Sequence, residues 1–353
     1  MNGGPGATPR PMSRVLFLLL LAGCAGGTAV TGADEVVGAE GVRVHYPAGW
    51  GHRITLRCSG DWDRAIETTW TADDVWVASV PAGSRCKPLL DDERWSVGPN
   101  YPAGDVWPHF WHTAGAVSRT EIGGRGVWLY RPPSYDENAR QTYPVVYMHD
   151  GQNLFDDRAS FGGISWNVGG AMDEGIERGT IAEALVVGVE NTAARMDEYT
   201  PVGDAEYGGG KAAAYLALLV DVVKPGIDAG GRTKADAAHT AIVGSSLGGL
   251  VSVWAGLARP DVFGLVGALS PSTWWADGWL VGQSEAATPR ISRLYLDSGN
   301  AGTSGDDVVN TARLAAVWRT KPVALSYVVQ DGASHSETWW RQRIGGALDF
   351  LLQ

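Results

Sequence analysis

The chain has 353 residues, enough for one large domain or two ordinary ones, and its 44% apolar and 19% charged residues allow a sizeable core rather than global disorder. A formal charge of -11 argues against nucleic acid or an anionic membrane surface as a partner, because both would be repelled.

Residues 1–23 read as an export signal. Arg10 and Arg14 precede the apolar run VLFLLLLAG at 15–23, which is too short to span a bilayer but suits a signal-peptide core. The following Leu21-Ala22-Gly23-Cys24 resembles a bacterial lipobox, in which the cysteine becomes the lipidated first residue of the mature chain. The expectation is a lipid-anchored protein of the bacterial cell envelope that meets the membrane only through this anchor, with simple secretion as the alternative. Once Cys24 carries lipid, Cys58 and Cys86 are the two cysteines left, and in an exported chain such a pair is expected to form a disulfide.

Residues 24–40 are small and polar and read as a tether. From 41 to 115 the segments are short and β-like: RITLRCSG (53–60), AIETTWTA (65–72) and DVWVASVP (74–81), bounded by Gly, Pro or Asp. A small β-sandwich is expected there. Its tryptophans, Trp50, Trp62, Trp70, Trp76, Trp95 and Trp107, suit either a small core or sugar stacking. Glycan binding is therefore a second, non-catalytic reading of the chain.

From 119 to 353 the texture changes. Apolar runs of strand length (126–132, 143–150, 183–190, 240–244, 264–271, 293–299 and 324–332) alternate with helical patterns at 166–179, 210–228, 247–260, 306–320 and 337–353. Continuous apolar strands separated by helices predict an α/β fold: a mostly parallel sheet covered on both faces.

Within AIVGSSLGGLVSVWAG (241–256), only Ser246 falls in the frame Gly-x-Ser-x-Gly, with Gly244 and Gly248 on either side. A strand precedes it and a helix follows, the setting of a nucleophile elbow. The triad order of such folds is Ser, then Asp or Glu, then His. The loop NAGTSGDD after the strand at 293–299 supplies Asp306 and Asp307, and the loop ASHSE after the strand at 324–330 supplies His335. All of them fall at the C-terminal ends of predicted strands, where open α/β sheets bind ligands. In this reading Ser246 attacks, His335 takes its proton, and an Asp orients the imidazole. Oxyanion donors are the backbone N–H of Leu247 and one from the loop after YPVVYMH, Gly151 or Gln152. No metal site is readable: His109 and His112 in HFWH lack a third ligand. No cofactor is implied.

The segments VVYMHDGQNLFDD, VVGVENTAARMDEYTP, TAIVGSSLGGLVS, LSPSTWW, LYLDSG and GASHSETWWRQRI run in order through nearly all of 119–353. With them the chain resembles the esterase family of α/β-hydrolases that includes feruloyl esterases, enterochelin-esterase-like enzymes, S-formylglutathione hydrolase and mycolyltransferases. The stretch 86–110 resembles the Ig-like or starch-binding-like domains that precede some of them. The resemblance implies a cofactor-independent serine esterase, an α/β-hydrolase fold behind a small β-sandwich, Ser246 as nucleophile and His335 as base. It leaves the acid open between Asp306 and Asp307, with Asp297 at a position usually not the acid. It also leaves open a siderophore esterase or an acyltransferase. Arg195 and Glu198 are expected to pair with each other beside the site. Trp274, Trp275 and Trp339 are candidates to grip a small-molecule or sugar-linked ester. The acidic and neutral site loops favour a neutral substrate over an anionic one.

Lipidation has a direct test. The wild type is expected in the membrane fraction and Cys24→Ser in the soluble fraction; if both are soluble, simple secretion replaces anchoring.

Overall fold

A computed structural model describes residues 39–47, 51–301 and 307–353. The export signal, Cys24, all but the end of the tether, Trp50 and Asp306 lie outside the described residues.

The β-rich region folds through β1 (Ala39–His45), β2 (Ile54–Cys58), β3 (Asp61–Glu67), β4 (Thr69–Thr71), β5 (Val75–Pro81), β6 (Cys86–Leu90), β7 (Arg94–Trp95) and β8 (Gly104–Val106). They form two four-stranded sheets, ordered β4-β5-β1-β8 and β3-β2-β6-β7. Both give side chains to one core: Val42, Val44 and Trp76 from the first, Ile54, Leu56 and Leu90 from the second. Along β1 the exposed Gly41 and Arg43 alternate with the buried Val42 and Val44, the two-residue period of a strand with one face in the core. The expected sandwich is present. Cys58 and Cys86 stand opposite each other on β2 and β6 and are joined in a disulfide with a sequence separation of 28. Closing a loop of that size stabilises by roughly 3 kcal/mol on the chain-entropy model. Of the tryptophans, Trp76 lies in the core, Trp107 stacks on His45, and Trp62, Trp70 and Trp95 are exposed.

The second region is built on an eight-stranded sheet of β9 (Ala116–Ile122), β10 (Arg125–Arg131), β11 (Val145–Met148), β12 (Leu185–Val189), β15 (Thr240–Ser245), β16 (Leu265–Leu269), β17 (Arg293–Gly299) and β18 (Ala324–Gln330). A two-residue ribbon, β13 (Gly203–Asp204) with β14 (Gly208–Gly209), stands apart from it. The sheet order is β18-β17-β16-β15-β11-β12-β10-β9. Pairing is parallel from β18 to β12 and antiparallel at β10 and β9. Strand β9 opens at Ala116, three residues before the expected start, and its exposed face explains why its sequence lacks an apolar run.

Alternate residues of each central strand feed two separate cores. Val145, Tyr147, Ile242, Val266 and Leu294 meet one set of helices: α3 (Ala212–Leu218), α5 (Leu247–Ala258), α6 (Trp275–Ala286) and α7 (Val308–Trp318). Val146, Met148, Ala241, Val243 and Leu265 meet α1 (Val168–Arg178) and α8 (Glu337–Leu351) on the other face. Burial on both faces is why these strands read as unbroken apolar runs.

Two short helices complete the fold, α2 (Arg195–Glu198) and α4 (Lys224–Asp228). The single helix expected over 210–228 is divided by a widened turn at Leu219–Val223, just ahead of Pro225, whose missing N–H interrupts the ladder. Helix α6 had no counterpart in the sequence reading. It opens with a left-handed turn at Ala276, Asp277 and Gly278 (φ 47°, 55° and 76°), which breaks its helical period. No helix of the described residues is long and apolar enough to cross a membrane.

Residues 38–353 form one unit, and a buried carboxylate ties its two regions together. Glu137 accepts the backbone N–H groups of Phe110 (2.7 Å), Trp111 (2.8 Å) and His112 (3.1 Å) and the Tyr46 hydroxyl (3.2 Å). Asn138 Nδ2 adds a bond to the Pro108 carbonyl at 2.6 Å. Glu137→Ala leaves those donors buried without an acceptor and is expected to destabilise by about 2–4 kcal/mol in reversible denaturant unfolding. A change below about 0.5 kcal/mol, the ordinary range for surface substitutions, contradicts this role.

Candidate active site

Ser246 lies between the end of β15 and the start of α5 with φ 56° and ψ -123°, a backbone region that side-chain-bearing residues rarely adopt. Its N–H donates to the Leu269 carbonyl (3.0 Å), and its own carbonyl accepts from Leu250 (3.0 Å) and Ser272 (2.9 Å). The turn is tight enough to need glycine. A Cβ at Gly244 would lie 2.7 Å from the Gly248 backbone and from His149 Cδ2. His149 itself is buried beneath the turn, with Nδ1 2.8 Å from the Tyr215 hydroxyl. Burial holds its pKa down to about 4, so the imidazole is neutral at neutral pH.

Ser246 and His335 line one cavity of about 430 Å³ at the C-terminal ends of the strands. Gln152, Asn153 and Phe161 form one wall, and Glu337 and Trp340 another. His335 sits between β18 and α8 with its ring edge-on to Trp340, centroids 5.0 Å apart. Trp340 is fixed in turn: its Nε1 donates to Ser270 Oγ (3.2 Å), which also accepts from Arg343 Nη2 (2.7 Å).

The three candidate acids have different fates. Asp297 is fully buried, with Oδ2 3.0 Å from Arg343 Nε and Oδ1 accepting the Ser270 N–H at 2.9 Å. Burial raises its pKa to about 6 in spite of Arg343. It anchors the end of β17 to α8 and Ser270. Asp307 caps α7, with Oδ1 accepting from Asn310 N–H (3.3 Å) and Oδ2 from Thr273 Oγ1 (3.0 Å). Its neighbour Asp306 is outside the described residues.

Leu247 opens α5, and a first-turn N–H of a helix has no carbonyl of its own helix to reach. Gly151 and Gln152 begin the turn after β11. Gly151 is packed onto β12 so closely that a Cβ would lie 2.3 Å from the Gly188 carbonyl oxygen. Gln152 lines the cavity, its Oε1 accepting the Asn191 N–H at 3.1 Å.

The expected Arg195–Glu198 pair does not form. Arg195 reaches back 45 residues to clasp Asp150 through Nε and Nη2, both at 2.7 Å, and Asn191 Nδ2 also donates to that carboxylate. Glu198 pairs with Arg125 instead, at 2.6 Å. Although residues three apart on a helix are neighbours, each has a bidentate partner elsewhere: Arg195 in Asp150, two residues beyond the end of β11, and Glu198 in Arg125 at the start of β10. Asp150 is itself left-handed, φ 56°, and buried, so the clasp holds a strained residue at the head of the turn that carries Gly151 and Gln152.

The aromatic expectations shift as well. Trp275 is buried in the core with Nε1 donating to the Val202 carbonyl at 2.8 Å, which removes it from any substrate surface. Trp274 is exposed beside Tyr207, ring centroids 5.8 Å apart, and Trp339 is half-buried; neither lines the Ser246 cavity. Trp340 and Phe161 do. Trp340 continues the buried α8 stripe Ile344, Ala347, Leu348 and Leu351, so helical spacing already separates it from Trp339.

A second cavity of about 530 Å³ is larger but lies near the N-terminal ends of β11 and β12, between Tyr101 and His109 on one side and Glu183 and Lys234 on the other. The chemistry favours the smaller one, which joins the strained serine to a histidine. Among the described residues no group of three or more side chains is placed to hold a metal ion.

A family model described as "Putative esterase" matches residues 122–351. The uncharacterized protein YbbA of Bacillus subtilis (strain 168) is 27% identical over 192 residues, covering 53% of this chain and 72% of that protein. Iron(III) salmochelin esterase of Escherichia coli O6:H1 is 26% identical over 263 residues, covering 68% of this chain and 58% of that protein. Among solved structures, the enterobactin esterase of Shigella flexneri superposes with a TM-score of 0.54 at 17% identity, covering 85% of this chain and 87% of the other. A ferulic acid esterase reaches a TM-score of 0.54 at 18% identity, covering 69% of this chain and 99% of the other. At these identities the structural likeness speaks for the fold. Coverage of 85% exceeds the two-thirds of the chain that lies beyond residue 118, so in the Shigella flexneri protein it reaches into the β-rich region.

The clasp on Asp150 is open to measurement. Arg195→Met strands a buried carboxylate and is expected to cost about 3–5 kcal/mol of stability. Lys211→Met, which breaks an exposed pair with Asp197, should cost under about 1 kcal/mol. Equal losses in the two variants would refute the special role of Arg195.

Proposed function

The chain belongs to the Putative esterase family, a carboxylic ester hydrolase by that membership, and we propose that it works through Ser246, His335 and Asp306. The observation that carries this reading is that the strained Ser246 and His335 line the same cavity. Ser246 Oγ attacks the ester carbonyl while His335 takes its proton. The oxyanion forms against the N–H groups of Leu247 and Gln152. His335 then returns the proton to the departing alcohol, and water, activated by the same imidazole, releases the acid from the acyl-enzyme. Asp306 is the acid in this scheme because Asp307 is committed to Thr273 and to the α7 cap. An acceptor alcohol in place of water would make the same acyl-enzyme an acyltransferase intermediate.

The substrate is a neutral aryl, sugar-linked or simple ester. Arg195, the one Arg or Lys lining the cavity among the described residues, spends two donors on Asp150, which leaves little to hold a polyanion. A siderophore ester is the second reading. Its support is the relative named as a salmochelin esterase and the fold shared with an enterobactin esterase over both regions. The non-catalytic reading, a glycan-binding envelope protein, draws on the exposed Trp62, Trp70 and Trp95 but gives the strain at Ser246 no purpose. Anchoring through Cys24 would place the enzyme on the cell envelope.

The test is hydrolysis of p-nitrophenyl acetate by residues 25–353. Ser246→Ala is expected to lower kcat by about 10⁶ and Asp306→Asn by about 10⁴. Asp307→Asn should change kcat by less than about tenfold, because its carboxylate is committed to Thr273 and the α7 cap, where its loss costs stability of about 1 kcal/mol rather than rate. Wild-type activity no higher than that of Ser246→Ala overturns the enzyme reading, and a larger loss at Asp307 than at Asp306 moves the acid.

A further inference from the structure

Glu337 opens α8 two residues after His335, and its side chain lies in the wall of the Ser246 cavity. The cavity's other carboxylate, Asp150, is taken up by Arg195 and Asn191. Glu337 is not. Among the described residues the charged groups around it are Asp150, His335 and Arg195. The N-terminus of the 15-residue α8 favours a negative charge there. Burial pushes its pKa above the usual carboxylate range, Asp150 adds to that, and His335 and Arg195 oppose it. A half-buried carboxylate with so little local compensation is costly unless something that enters the cavity meets it.

We infer that Glu337 is the specificity-determining residue of this site: its carboxylate accepts a hydroxyl on the acyl portion of a neutral ester, and its charge favours a cationic over an anionic group placed there. The inference rests on Ser246 being the nucleophile. With Asp150 and Arg195 cancelling each other, Glu337 sets the sign of the field that the bound acyl group meets. At the separations of a cavity this size, one unit charge acting through a partly screened medium is worth a factor of ten or more between acyl groups of opposite charge.

The experiment compares kcat/KM for three substrates of matched size: p-nitrophenyl 7,7-dimethyloctanoate, p-nitrophenyl 6-sulfohexanoate, and p-nitrophenyl 6-(trimethylammonio)hexanoate. The wild type is expected to prefer the cation over the anion by at least tenfold. Glu337→Gln should shrink that preference by about tenfold or more, and Glu337→Asp should keep its direction. In the wild type the cation-to-neutral ratio should also fall as pH drops and Glu337 takes up its proton, and in Glu337→Gln it should stay flat. The pH series on the wild type stands even if a variant folds poorly. Ser246-dependent hydrolysis with charge ratios that neither Glu337→Gln nor pH moves overturns this inference alone. Absence of Ser246-dependent hydrolysis for all three substrates overturns the nucleophile assignment and this inference with it.

Discussion

Ser246 occupies a backbone conformation (φ 56°, ψ -123°) that costs on the order of 1–3 kcal/mol, and much of the surrounding architecture serves to hold it there. β15 delivers the chain to the turn from one side, and α5 carries it away at once, so Leu250 and Ser272 both bond the Ser246 carbonyl while Leu269 takes its N–H. The turn can be this tight because Gly244 lets the Gly248 backbone approach, with the neutral His149 packed beneath. The turn places Ser246 on the wall of the cavity, its hydroxyl 3.2 Å from Ser272 Oγ, with Leu247 at the start of α5.

A second strained residue lines the same cavity. Asp150 is left-handed at the end of β11, the strand beside β15, and it is kept there by Arg195 and Asn191 from the loop after β12. Two adjacent parallel strands thus end in two distorted turns that both line one cavity. Two strands farther out, beyond β16, complete it. β17 and β18 support Asp297 and the loop with His335, and the bonds among Asp297, Arg343, Ser270 and Trp340 connect the sheet to the helix that carries the imidazole's aromatic neighbour. The parallel sheet brings residues 150, 246 and 335 to one edge, although they are far apart in the chain.

Much of this is legible in the sequence because the forces involved are local. Strands buried on both faces must be apolar throughout, so β11, β12, β15, β16 and β17 stand out. The Gly-x-Ser-x-Gly frame selects Ser246 over Ser245, and close packing around the turn excludes a side chain at Gly244, while a Cβ at Gly248 would meet His149 at ordinary contact distance. The positions that resist such reading depend on distant partners or on direction. Arg195 meets Asp150 across 45 residues, and nothing in RMDEYTP announces it. Trp275 and Trp274 are neighbours in sequence, yet the left-handed turn that opens α6 buries one and exposes the other. Asp306 and Asp307 are separated only by which of them caps α7, a matter of side-chain geometry. Trp340 was within reach, since the apolar stripe of α8 passes through it and misses Trp339.

The central claim is that Ser246 forms an acyl-enzyme under the control of His335, and covalent capture tests it most directly. The chain is treated with an alkyl fluorophosphonate, digested, and its peptides are weighed by mass spectrometry. The account predicts one phosphonyl group per molecule on the peptide spanning Ser246, localised to that residue by fragmentation, and little or no labelling in His335→Ala. Label on Ser245 or Ser272, or equal labelling with and without His335, would contradict it.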